Sequence, residues 1–89
     1  MSEVLCVYQI PIEQGNEPGA LEKVIRETVP GKYKIQQGSE IVPLFFGLKA
    51  LKLQFIIPEE DGSQDELEDF LNELELVGGE ISLDFITKL

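Results

Sequence analysis

The sequence contains no histidine and one cysteine, Cys6. A lone cysteine cannot form an intramolecular disulfide, and without histidine the chain lacks the residues of a typical zinc site or of Cys/His and Ser/His/Asp catalysis. Cys6 alternates with Val4, Tyr8 and Ile10, which predicts a small buried residue on one face of a strand. These classes of hydrolytic chemistry are therefore excluded.

Basic residues are also scarce, with 7 Lys and Arg against 17 Asp and Glu and a net charge of -10. A nucleic-acid backbone is bound by clustered Lys and Arg, so we expect no nucleic-acid partner and favour a protein partner with a basic surface. No apolar run approaches the roughly 18 residues that span a bilayer, and residues 1–3 are acidic where a signal peptide would be basic. We therefore expect a cytoplasmic protein that does not bind membranes.

The chain has 89 residues, of which 43% are hydrophobic and 27% are charged. These values are typical of a globular protein, and the length suits one domain, residues 1–89, with a modest two-layer core.

Hydrophobic periodicity predicts the order strand, helix, strand, strand, helix, strand. The predicted strands span residues 3–12, 32–37, 50–57 and 80–85. The predicted helices begin at Pro18 and at Ser63; Pro30-Gly31 stops the first, and the second, with Ser63 and Glu66 as a capping box, runs to about Leu76. We expect an α+β fold, the ferredoxin-like split βαβ sandwich, with two helices on one face of a four-stranded antiparallel sheet and residues 50–57 at its centre.

Catalytic and cofactor motifs are not found in the sequence. The glycines do not form a GxxxxGK[ST] or GxGxxG phosphate loop. An acylphosphatase-like enzyme would need an arginine after the first strand, but the only arginine, Arg26, lies in the first predicted helix. An RNA-binding sheet would need aromatic and basic residues on its open face, where Lys52, Gln54, Ser82 and Asp84 are predicted instead. We expect no cofactor, no metal and no enzymatic activity.

Residues 42–51 combine a proline, two phenylalanines and a glycine, which suggests an exposed corner. Two alternatives stay open for Phe45 and Phe46, whose rings either project outwards or pack in the core. Lys88 is either a solvated terminal residue or part of a site. We expect the third and fourth predicted strands of the ferredoxin-like topology to be antiparallel to each other, which places Lys49 and the two rings at the same end of the sheet as Lys88.

The segment Pro43–Leu51 resembles the proline, variable pair, aromatic, Gly, aliphatic, Lys and Leu pattern of the elongation factor 1-beta family, the guanine nucleotide exchange factors of translation. The resemblance covers nearly the whole chain. It includes the acidic turn at residues 58–62, the strand at residues 80–85 and the end at Lys88-Leu89.

The resemblance implies a domain that binds elongation factor 1-alpha, a GTPase carrying guanine nucleotide and magnesium, and promotes GDP release so that GTP can bind. It also implies that Lys88 reaches toward the magnesium and phosphate site of the partner, while Phe46 inserts into a pocket on it. The remaining residues of the expected partner-binding set are Phe45, Gly47, Lys49 and Leu89. We expect the free protein to be a monomer.

Three features depart from the family pattern. Phe45 is bulky where the family often has a small residue, and Gly78-Gly79 makes the turn after the second helix looser than a single glycine would. Residues 84–89 contain no arginine, so Lys88 is the only basic side chain there. The alternative function for this fold is a small-molecule-binding regulatory domain that acts as a homodimer.

Overall fold

The computed structural model describes residues 2–36, 38–44 and 47–89. The strands are β1 (Glu3–Pro11), β2 (Lys34–Ile35), β3 (Glu40–Pro43), β4 (Lys49–Pro58) and β5 (Ser82–Lys88), and the helices are α1 (Pro18–Thr28) and α2 (Ser63–Asn72). This order confirms the predicted α+β ferredoxin-like arrangement. Neither of these helices is long and apolar enough to cross a membrane.

The sheet has the order β2-β4-β1-β5, and β3 also pairs with β4. Both β2 and β3 lie along the outer edge of β4, facing residues 55–56 and 49–52 respectively. Gly38 lies between them with a φ of 93°, a left-handed conformation that suits glycine and interrupts a strand. The sheet therefore has five strands in its described part instead of the predicted four, because the outer strand is divided in two and β3 was not predicted.

The core lies between the helices and one face of the two central strands. Its largest fully buried side chains come from both strands and both helices: Tyr8, Ile10, Leu51, Leu53, Phe55, Ile57, Leu21, Ile25, Leu67 and Leu71. Cys6 is also fully buried, as predicted. The odd-numbered residues of β4 face this core, and the strand order confirms β4 as a central strand. Burial of each of these side chains contributes about 1.5–3 kcal/mol to the free energy of unfolding.

Helix α1 begins as expected, after Glu17 and with Pro18 in its first turn. Both ends of α2 differ from the prediction. The capping box is wrong because Gly62 precedes α2 in a left-handed conformation and Ser63 is already helical and buried. α2 also ends at Asn72, since the following segment turns back to β1, where the Glu13 N–H donates to the Leu76 carbonyl at 2.9 Å.

A bulge interrupts the pairing of β5 with β1. Tyr8 faces Leu83 and Val7 faces Phe85, so Asp84 is an extra residue on β5. Past this point the predicted alternation is wrong: Phe85 lies on the open face of the sheet, and Ile86 and the following even-numbered residues lie on the helix face.

Gly78 and Gly79 lie beside β1 and differ sharply in the space around them. A Cβ on Gly78 would lie 2.6 Å from the Glu13 Cα and 2.7 Å from the Glu13 backbone nitrogen, whereas one on Gly79 would lie 3.6 Å from the Pro11 ring. The Gly78 N–H also donates to the Pro11 carbonyl at 2.9 Å. Of these two glycines, Gly78 is therefore the one whose position leaves no room for a side chain.

We expect Gly78→Ala to lower the free energy of unfolding by about 1–3 kcal/mol, because the backbone of residue 13 must move away. The matched control Gly79→Ala should leave it unchanged or raise it by about 0.4–1 kcal/mol, since alanine restricts the unfolded chain. Urea unfolding of both variants measures the difference. Equal midpoints for the two variants would contradict the close approach at Gly78.

Candidate functional site

The turn between β3 and β4 forms one end of the sheet, which we call the hairpin end. The Leu44 N–H donates to the Leu48 carbonyl at 2.7 Å, and Pro43 pairs with Lys49. Gly47 has a φ of 77°, where a Cβ would be strained, so this turn requires glycine. Gly47, Leu48 and Lys49 are exposed.

The aromatic pair Phe45 and Phe46 lies outside the described residues, so the predictions for these two rings stay predictions. Beside the turn, an open groove of about 270 Å³ separates residues 47–49 from the loop 13–17. The Ile12 N–H, which donates to the Lys49 carbonyl at 2.9 Å, holds the two sides of this groove together.

Lys88 and Leu89 form the opposite end of the sheet, the Lys88 end. The Lys88 side chain is 76% exposed, and its Nζ lies 2.9 Å from Oε1 of Glu59. The Leu89 N–H donates to the Glu3 carbonyl at 3.0 Å, and the Glu59 N–H donates to the Ser2 carbonyl at the same distance. The backbone around Lys88 is thus part of the sheet, while its ammonium group is accessible.

The two ends lie far apart, and the prediction that Lys49 and Lys88 share one end is wrong. Ala50 faces Pro11 on one side of β1, and Lys88 faces Val4 on the other. These β1 residues are 11 − 4 = 7 positions apart, which corresponds to roughly 23 Å along a strand. The physical reason is that β4 and β5 are both antiparallel to β1 and therefore parallel to each other.

Most acidic side chains are exposed or form surface ion pairs. A hydrogen bond from Lys32 lowers the pKa of Glu66, and hydrogen bonds from Ser39 and then Arg26 lower the pKa of Glu22. Lowered pKa values keep carboxylates ionised, whereas a general acid needs a raised one. Within residues 2–36, 38–44 and 47–89, no three His, Cys, Asp or Glu residues are grouped as metal ligands.

The open face of the sheet carries an aromatic residue that the sequence reasoning did not place there. Phe85 is 55% exposed, since the bulge turns it to this side. Nearby, the Lys52 Nζ lies 3.1 Å from Asp84 Oδ2 and 4.0 Å from Glu40 Oε2. Because two carboxylates surround this lysine, the face does not present the free positive charge that nucleic acid requires. The bulge leaves no periodic signal from which the position of Phe85 could have been found.

Comparison with known proteins identifies the family of this chain. A family model described as "EF-1 guanine nucleotide exchange domain" matches residues 7–84. The chain belongs to this family. The elongation factor 1-beta resemblance is thereby confirmed, and the protein is a guanine nucleotide exchange factor of translation elongation.

Archaeal relatives named "Elongation factor 1-beta" extend over most or all of the exchange domain. The protein from Caldivirga maquilingensis is 33% identical over 91 residues, covering 100% of this chain and 98% of the relative. That from Pyrobaculum aerophilum is 35% identical, covering 99% and 96%. That from Hyperthermus butylicus is 39% identical over 77 residues, covering 84% and 83%. The family match includes Gly47 and Lys49 but ends before Lys88, which lies within the full-length alignment to the Caldivirga protein.

One carboxylate of the exchange domain interacts with a buried phenol. The Tyr8 hydroxyl donates to Glu68 Oε2 at 2.7 Å, and Gln64 Nε2 donates to the same oxygen at 3.2 Å. Burial, followed by the hydrogen bond to Glu68, raises the pKa of Tyr8 well above its ordinary value of 10.0. Tyr8 is fully buried, so this contact connects the centre of β1 to α2 and serves the fold.

We expect Tyr8→Phe to lower the free energy of unfolding near neutral pH by about 1 kcal/mol, the contribution of one hydrogen bond. Above the ordinary tyrosine pKa, the unfolded chain loses the Tyr8 proton while the folded chain keeps it, so wild-type stability falls as pH rises. The gap between wild type and Tyr8→Phe should therefore shrink above pH 10 by up to about 1.4 kcal/mol per pH unit, so that it closes and changes sign near pH 11. Urea unfolding at pH 8 and pH 11 checks this.

Tyr33→Phe is a second test of the same effect, since the Tyr33 hydroxyl donates to the Ser63 carbonyl at 3.2 Å and burial, followed by the charge of Glu66, raises the pKa of Tyr33 too. Ile25→Val in the core is the control, because it removes buried apolar contact without removing a titratable group, so its gap to wild type should be the same at both pH values. A constant gap between wild type and Tyr8→Phe at both pH values would show that Tyr8 ionises equally in the folded and unfolded chains.

Proposed function

We propose that the exchange domain acts on elongation factor 1-alpha and promotes the release of its GDP so that GTP can bind. Lys88 carries the step at the nucleotide site, and Phe46 anchors the domain. The domain acts as a monomer and makes or breaks no covalent bond. The observation that best supports this proposal is the exposed Lys88 ammonium, presented at the end of an ordered strand.

The electrostatics of a GTPase explain how a lysine can release nucleotide. A GTPase holds GDP largely through magnesium and oriented contacts to the phosphates. A cation placed at this site competes with the metal and weakens nucleotide binding. By linkage, the domain accelerates release only if it binds the nucleotide-free GTPase more tightly than the GDP-bound form.

The separation of the two ends adds a geometric requirement. Since roughly 23 Å of β-strand lies between the hairpin end and the Lys88 end, a single small patch on the GTPase cannot receive both. The partner must offer an apolar pocket and the nucleotide site at a matching distance. Binding energy gained at the apolar pocket then holds Lys88 at the nucleotide site.

We expect Lys88→Ala to reduce stimulated GDP release by about 5–150-fold, the range of a typical coupling free energy. Its free energy of unfolding should change by less than about 1 kcal/mol, because the ion pair with Glu59 is solvent-exposed. Release of fluorescent GDP from elongation factor 1-alpha in a stopped-flow instrument measures the rate, with Lys23→Ala on α1 as the control for an exposed lysine.

Chelation of magnesium distinguishes this mechanism from a loss of binding. If Lys88 competes with the metal, the difference between wild type and Lys88→Ala should shrink once the metal is removed. An unchanged release rate in Lys88→Ala at normal magnesium would overturn the proposed role of Lys88.

We expect Phe46→Ala to raise the concentration of exchange domain needed for half-maximal release by about 30-fold, the effect of losing a 2 kcal/mol anchor. The maximal rate should change less, because Lys88 is intact. A titration of the release rate measures both quantities. Phe45→Ala is the matched variant, and a larger loss in that variant would show that Phe45 is the anchor.

A further inference from the structure

A groove adjoins Lys88 on the helix side of the sheet. It is open to solvent, with a volume of about 320 Å³, and lies between the start of β1, the end of β5 and the turn that leads into α2. Its lining is mixed: Val4, Ile57, Pro58 and Ile86 are apolar, while carboxylates and other polar groups contribute the larger part of the exposed surface. Val4 and Ile57 are buried, whereas Ile86 is 46% exposed.

The bulge at Asp84 places both Ile86 and Lys88 on the helix face of the sheet. Ile86 faces Cys6 and Lys88 faces Val4, and Cys6 belongs to the core beneath the helices. Residues two apart on a strand point to the same side and lie roughly 7 Å apart. Any surface that receives Lys88 therefore also covers Ile86.

The rim of this groove is acidic. Glu59, Glu60 and Asp61 line it, and Glu59 forms the ion pair with Lys88. When Lys88 extends toward a partner, the Glu59 carboxylate loses this cation. The rim then presents three carboxylates without the lysine that balances one of them.

We propose that this groove receives an apolar side chain of the GTPase, from a segment beside its nucleotide site that carries basic residues facing Glu59, Glu60 and Asp61. The inference rests on the proposed function, since Lys88 is what brings that segment within reach. A second copy of the exchange domain is disfavoured as the occupant, because it would bring the same carboxylates and another net charge of -10. Ile86 is a binding residue in this arrangement and does not act on the nucleotide.

Ile86→Thr tests the apolar contact while keeping a β-branched side chain that suits a strand. We expect it to raise the concentration for half-maximal GDP release about 5- to 10-fold, with the maximal rate within about 2-fold of wild type. The matched control is Ile41→Thr, because Ile41 is 54% exposed on β3 at the other edge of the sheet. Ile41→Thr should stimulate GDP release from the GTPase at the same concentration as wild type.

Glu60→Lys tests the acidic rim, with Glu27→Lys on α1 as a control for the same change in net charge. We expect Glu60→Lys to slow association with the nucleotide-free GTPase at low salt, and Glu27→Lys to have a smaller effect. An unaltered half-maximal concentration in Ile86→Thr would overturn the proposal, as would equal losses in Ile41→Thr or equal effects of the two charge reversals.

The result for Lys88→Ala separates the two levels of inference. If Lys88→Ala loses exchange while Ile86→Thr keeps the wild-type concentration for half-maximal GDP release, the proposed function stands and the proposed groove contact is overturned. Normal exchange in Lys88→Ala would overturn both, because no surface would then need to approach Ile86. Direct binding to nucleotide-free GTPase, measured by fluorescence anisotropy, provides a readout for the Ile86 and Ile41 variants that does not depend on release.

Discussion

β1 forms antiparallel ladders with β4 on one side and β5 on the other, and the positions of both ends of the exchange domain depend on these two ladders. Because both neighbours run opposite to β1, the chain leaves the hairpin end along β4 and reaches the Lys88 end along the parallel β5. The buried side chains of β1 and β4 under the two helices stabilise this arrangement. A shift of either ladder by one residue would expose the core face, so packing and register support each other.

The bulge at Asp84 decides on which face of the sheet Lys88 lies. Without the extra residue, alternation from Leu83 would place Lys88 on the open face, away from Glu59 and from the groove beside α2. With it, Lys88 and Ile86 share the helix face, and Phe85 moves to the open face. The ion pair between Asp84 and Lys52 at 3.1 Å holds the extra residue against β4.

The net charge of -10 and the accessibility of Lys88 suit a protein that approaches a GTPase without itself binding phosphate tightly. Three of the other six described basic side chains, Arg26, Lys32 and Lys52, also form ion pairs with carboxylates. In the described part of the chain, the Lys88 ammonium projects beside the acidic residues Glu59, Glu60 and Asp61. Such a surface attracts basic groups of a partner, and the proposed role of Lys88 places its positive charge at the nucleotide site.

Periodicity, composition and short motifs are local properties of the sequence. They were sufficient to predict the two helices, the central strand β4 with its odd-numbered core face, the buried Cys6, the exchange-factor resemblance and Lys88 as the last basic residue. Contacts in the folded protein were needed to show that the hairpin and Lys88 lie at opposite ends, that the outer strand divides into β2 and β3, that α2 stops at Asn72 and that a bulge reorients β5. Strand direction and register arise from contacts between segments that are distant in sequence. A single extra residue moves all following side chains of a strand to the opposite face of the sheet without altering any local sequence pattern.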